Sequence, residues 1–168
     1  MNAPASWVMA LIYWMHLLAT VTWIGSLAAL NLLVLPAAQR TLDAGAQLRF
    51  ITAIQKRLEP LAWFCMSLLL ATGLFQMSAN THYNGFLDTS AQWSLAILIK
   101  HGLGVVMVVV SAVQTWEVIP NIQRTLMKKG VVNEDELAKL NQRETLLLRI
   151  NFILSVLILA ATAFARAA

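Results

Sequence analysis

Charge is scarce in this chain. Asp, Glu, Lys and Arg together make up 12% of 168 residues, against 59% hydrophobic residues, where a soluble domain would be about a quarter charged. With a mean hydropathy of +0.68, most of the chain expects lipid rather than water. Cysteine is nearly absent as well. The single Cys65 excludes an internal disulfide and any Cys-x-x-Cys metal or redox motif. The net charge of +4 does not point to nucleic acid, because the basic residues gather in loops beside apolar runs, where they set membrane topology. No internal repeat and no low-complexity tract is visible, and no Lys or Arg precedes the first apolar run, as a cleaved signal peptide would require.

Four apolar runs are present, at about 7–35, 60–78, 92–117 and 146–165. Each approaches or exceeds the roughly 20 residues needed to cross the hydrocarbon core. Pro36 closes the first and Pro120 follows the third, while Pro60 suits the first turn of the second. Between the first two runs, Leu48, Ile51, Ile54 and Leu58 recur at helical spacing among Arg49, Lys56 and Arg57. That pattern predicts a short amphipathic helix lying at the interface. Asn84-Gly85 predicts a turn in the 78–92 loop, and Lys129-Gly130 a helix end. Asn133 followed by Glu134, Asp135 and Glu136 predicts an N-cap with acids in the first turn. The expected fold is all-α: one integral-membrane antiparallel four-helix bundle with a short interfacial helix between spans one and two.

The loops at 37–59 and 117–149 hold nearly all the basic residues, so the positive-inside rule places them in the cytoplasm and both termini outside. The expected location is a bacterial inner (plasma) membrane, with the bilayer as the first partner and no nucleic acid.

Ionisable groups lie well inside two of the apolar runs: His16 in span one, and Lys100 and His101 in span three. An ionisable group in hydrocarbon is costly by a few kcal/mol and marks a site by default. His16 follows Trp7 by nine residues and His101 follows Trp93 by eight, which puts both roughly 12–14 Å below the outer interface. Two imidazoles at one depth on diagonal spans can hold a metal, or a haem iron from both faces. Tyr13, His16, Thr20 and Trp23 share a helical stripe, as do Ser94, Ile97, His101, Gly104, Val108 and Ser111. Gly104 would let a flat macrocycle approach the backbone. Lys100 points elsewhere around its helix, either snorkelling outward or pairing with a carboxylate such as a haem propionate. A histidine in a span also serves simply to hydrogen-bond a neighbouring helix, and the seven methionines suit packing. Met15 diverges from His16 by about 100° around the helix. Asn151 reads as an interhelical hydrogen bonder.

Short sequences then resemble a family. Trp14-Met15-His16-Leu17-Leu18 with Trp23-Ile24-Gly25 resembles the first span of the copper resistance D domain. Leu35-Pro36, Arg57-Leu58-Glu59-Pro60-Leu61-Ala62-Trp63, Ala71-Thr72-Gly73-Leu74, Lys100 and Arg149-Ile150-Asn151 continue the likeness along nearly the whole chain. The four-span pattern is also similar to the membrane protoporphyrinogen oxidases, which work with haem and a quinone. That likeness implies a first-span histidine and a third-span lysine as the functional pair, here His16 and Lys100. The chain lacks the extra spans and the Met/His-rich segment of larger copper proteins.

Three expectations follow. The first is a redox protein with b-type haem between spans one and three. His16 and His101 would be its axial ligands, Tyr13, Thr20, Trp23 and Gly104 would line the cofactor, Lys100 would be its catalytic residue, and quinone its electron partner. The second is copper handling at His16 and His101. The third is an accessory subunit of a larger membrane complex with no cofactor of its own.

Overall fold

The computed structural model describes residues 5–80, 85, 92–127 and 134–167. Helices account for nearly all of them. In chain order they are α1 (Ser6–Ala29), a π-helical turn at Leu30–Val34, α2 (Leu35–Thr41), α3 (Ala44–Ser78), α4 (Gln92–Val113), a second π-helical turn at Gln114–Val118, α5 (Ile119–Met127) and α6 (Glu134–Ala167). They form four rods, Ser6–Thr41, Ala44–Ser78, Gln92–Met127 and Asp135–Arg166, each long and apolar enough to cross a membrane. A 36-residue rod is about 54 Å long, well beyond a hydrocarbon core of about 30 Å. The protein is therefore a multi-pass membrane four-helix bundle whose helices extend past the lipid.

Three sequence expectations change here. Residues 48–58 are not a separate interfacial helix. They continue straight into span two as α3, and their apolar face is covered by protein rather than headgroups. Leu48 packs with Val118 and Ile122, and Ile51 packs with Leu30, Leu35 and Leu148. Pro60 consequently lies inside α3 and not in its first turn. Pro36 and Pro120 do not end their helices either. The residue before each proline donates its N–H five residues back, Leu35 to Leu30 and Ile119 to Gln114. Proline lacks an N–H and its ring crowds the carbonyl four residues earlier. Widening the preceding turn to π geometry relieves that crowding, and each rod runs on for another turn or more.

The two halves of the chain thus share one plan: a long helix, a π-turn, a proline, a short helix, a connection and a long return helix. α1 packs mainly on α3, and α4 on α6. Among the short stretches that match are Val34-Leu35-Pro36 and Val118-Ile119-Pro120. Little else in the sequence betrays this structural repeat, because lipid accepts any large apolar residue on the outer faces.

Three apolar clusters hold the halves together. One joins Leu30, Leu35, Ala38, Ile51 and Leu148, and another Leu48, Val118 and Ile122. The third, at mid-bundle, joins Leu27, Met107 and Leu154 with Trp23 against them. Asp43 caps α3 by accepting from the Ala46 N–H. Gly85 has a φ of +131°, open to glycine and strained for other residues. Asn84, His82, Lys129, Gly130 and Asn133 lie outside the described residues.

Candidate functional site

Met107 is fully buried and sets how α4 is turned. At 100° per residue, Lys100 lies within about 20° of Met107 around the helix, whereas His101 lies about 120° away. Lys100 therefore lies in the row of Met107, while Ser94, also buried, lies within about 20° of His101, so α4 buries residues on both rows. Lys100 and His101 are both half-buried. Periodicity could not foresee this, since span three is apolar on almost every side.

His16 faces span two. Its Nδ1 lies 2.8 Å from Thr72 Oγ1, and Thr72 Oγ1 lies 2.6 Å from the Leu68 carbonyl. A carbonyl can only accept, so the Thr72 hydroxyl donates to Leu68 and accepts from His16. His16 then carries its proton on Nδ1 and its lone pair on Nε2. The same reasoning applies to His101, whose Nδ1 lies 2.7 Å from the Ile97 carbonyl and must donate to it. Fixing one ring nitrogen as a donor leaves the other basic, which is how metal-ligating histidines are usually held. Thr72 was visible only as part of a family-like stretch; its role depends on which faces of α1 and α3 meet.

Lys100 is close enough to His16 for their charges to interact, and close enough to Arg166 for the same. Arg166 stands over the Tyr13 ring, 5.7 Å from its centroid. Among the described residues neither Lys100 nor Arg166 pairs with a carboxylate. This tier of the bundle thus holds an imidazole lone pair beside two uncompensated cations. Thr20 spends its hydroxyl proton on the His16 carbonyl at 2.7 Å. Trp23 packs into the mid-bundle cluster and lines a cavity below it. Tyr13 is exposed, and a Cβ on Gly104 would meet nothing within 4 Å. His16, Thr20 and Trp23 keep their shared row on α1. No group of three or more metal-ligating side chains occurs among the described residues.

A second polar tier, of which only Asn151 was expected from the sequence, lies at the end of the bundle that carries the basic loops. Gln114 Nε2 donates to Glu144 Oε1 at 3.0 Å. Asn151 Nδ2 approaches Gln114 Oε1 at 3.3 Å and Ser111 Oγ at 3.4 Å, so Asn151 does bond between helices. All of Gln114, Glu144 and Asn151 are buried. Glu144 precedes the last apolar run and reads in sequence as a loop charge; only the length of α6 brings it inside. Trp63 and Trp116 stack beside this tier at 5.5 Å and 12°.

A family model described as Copper resistance protein D matches residues 52–165. This match takes in spans two to four with Thr72, Lys100, His101 and Gly104; Tyr13, His16, Thr20 and Trp23 lie before it. No curated protein and no solved structure matches. With more than half its length matched, the chain belongs to the copper resistance protein D family.

Proposed function

We propose that this membrane protein of the copper resistance D family binds a b-type haem in the tier formed by His16, Lys100 and Arg166, and works as a small redox protein. The observation that carries the reading is the pairing of a lone-pair imidazole with two cations that have no carboxylate partner among the described residues. A bare copper ion would be repelled by those cations, whereas a porphyrin brings its own carboxylates to them. His16 Nε2 is the proposed iron ligand, with His101 as the second. Lys100 and Arg166 would meet the propionates, and the open space at Gly104 would admit the macrocycle's edge. Haem supplies one-electron chemistry when bound; the chain holds its histidine tautomers and keeps the site dry. A membrane quinone is the proposed electron partner.

Reduced-minus-oxidised absorption spectra of the purified protein test this. A b-type band that His16→Ala abolishes and His101→Ala shifts is expected. A protein without such a band, or one indifferent to His16, overturns the reading.

Copper handling is the second reading, favoured by the family description. Its mark is a stoichiometric copper content in haem-free protein that falls in His16→Ala. An accessory role in a larger complex would show as co-purifying membrane subunits and no cofactor. For topology, we propose that both basic loops face the cytoplasm of a bacterial inner membrane. Labelling of single cysteines placed at Gln39 and Gln142 from the cytoplasmic side only is the expected result, and labelling from the opposite side refutes it.

A further inference from the structure

An open groove of about 440 Å³ runs between α2 and α6, lined by Gln39, Asn141, Gln142, Thr145, Leu146 and Arg149. The two helices are held together there, because Leu35 and Ala38 belong to one apolar cluster with Leu148. The Gln47 amide donates to Asn141 Oδ1 at 3.0 Å, which leaves the Asn141 amino group to donate elsewhere. No carboxylate lines the groove. Among the described residues Arg149 has no carboxylate partner, whereas Arg143 pairs with Glu117 at 2.7 Å. The groove therefore presents one uncommitted guanidinium with amide and hydroxyl groups around it.

Its depth is that of lipid headgroups. Leu148, next to Arg149, lines the cavity between the rods together with Trp63. Trp63 stacks on Trp116, which is 72% exposed, and an exposed Trp near the end of a spanning segment marks the membrane–water interface. Towards the C-terminus of α6, Ile153 and Val156 follow Arg149 at i+4 and i+7 and share its face. Both are exposed, so the guanidinium stands at the head of an apolar row that faces the acyl chains. A phosphate at this level meets the charge-assisted donors that suit it. A zwitterionic headgroup also brings an ammonium, which needs a carboxylate that the groove does not have. A headgroup ending in hydroxyls meets the amide oxygens of Gln39 and Gln142 instead.

We propose that Arg149, with Gln39, Asn141, Gln142 and Thr145, binds the headgroup of one anionic phospholipid of the phosphatidylglycerol type, whose acyl chains lie along Ile153 and Val156. Arg149 takes the phosphate and the amides take the glycerol. Seventeen residues of α6, about 25 Å, separate Arg149 from Arg166 of the His16 tier, so the lipid site is distinct from the proposed redox site.

The experiment is thermal unfolding of the purified full chain in a neutral detergent at fixed ionic strength. Phosphatidylglycerol, phosphatidylcholine, phosphatidylethanolamine and soluble glycerol 3-phosphate are added in turn. A rise in Tm of several degrees with phosphatidylglycerol alone is the expected result, with one such lipid retained per chain in native mass spectra. Arg149→Gln should lose the rise. Gln39→Glu, at an exposed position, should weaken the lipid's apparent affinity about tenfold by placing a like charge in the groove. Arg124→Gln, which removes an exposed charge on α5 outside the groove, should keep the rise. Equal rises with phosphatidylglycerol and phosphatidylcholine overturn the site, as does a rise that Arg149→Gln leaves intact. Loss of the rise in Arg124→Gln overturns it too, since net charge alone would then explain it. An equal rise with glycerol 3-phosphate overturns a lipid as the occupant. The response is read without haem or copper, so its failure is distinct from failure of the redox reading.

Discussion

His16 and Lys100 occupy equivalent places in the two halves of the chain, each twenty residues before the proline that follows its π-turn. Trp23 and Met107 are likewise equivalent, thirteen residues before the same prolines, and they belong to one apolar cluster. The cluster of Leu27, Met107 and Leu154 with Trp23 against it therefore fixes the turn of both rods, and His16 and Lys100 are carried into electrostatic reach of each other.

Met107→Ala should be among the most damaging single substitutions. It empties a fully buried position where spans one, three and four meet. A loss of about 2–5 kcal/mol is expected from such a truncation, measurable as a lower detergent-unfolding midpoint. Met107→Leu, of nearly the same volume, should cost about 1.5 kcal/mol or less. Similar midpoints for the two variants would refute the assignment.

Thr72→Val removes the acceptor for His16 Nδ1 while keeping the side chain's shape. A loss of about 1 kcal/mol in stability is expected for one hydrogen bond. If His16 holds a haem, the variant should retain the cofactor but shift its reduction potential, because the ring is no longer held as a donor. A spectrum and potential identical to those of the parent would show that Thr72 does not orient the ligand.

Gly73 lies against the same ring. A Cβ there would come to 3.5 Å from His16 Cε1, an ordinary contact. Gly73→Ala should therefore be tolerated, with up to about 1 kcal/mol gained from helix propensity. Gly73→Leu should displace the ring and lower haem content as His16→Ala does. Equal haem content in both glycine variants would count against this placement of His16.

Lys100→Met should lower haem affinity at least tenfold, and Lys100→Arg should restore most of it, because the role assigned to Lys100 is its charge. Titration of the apoprotein with haem measures both. If Lys100→Met binds as tightly as the parent, the carboxylate-pairing role is lost.

Arg143→Ala breaks an exposed ion pair with Glu117 and should cost less than about 1 kcal/mol. Gln114→Leu leaves the buried Glu144 and Asn151 without their shared partner and should cost about 1–3 kcal/mol. The comparison is made by unfolding midpoint. A larger effect from Arg143 would overturn the view that the buried network, and not the surface pair, holds this end together.

Hydrophobicity along the chain was enough to determine four membrane spans, because lipid sets a length and a composition that each span must meet by itself. The polar residues inside those spans, His16, Lys100, His101 and Asn151, were legible for the same reason. What the tertiary structure alone decided is rotation and reach. A span that is apolar on every side has no preferred face, so only packing around Met107 brought Lys100 within electrostatic reach of His16. Only the run of α3 and α6 beyond the lipid, past prolines and charges that resemble loop ends, enclosed Gln55 and Glu144. That enclosure depends on residues far apart in the chain meeting across helices, and no local pattern encodes it.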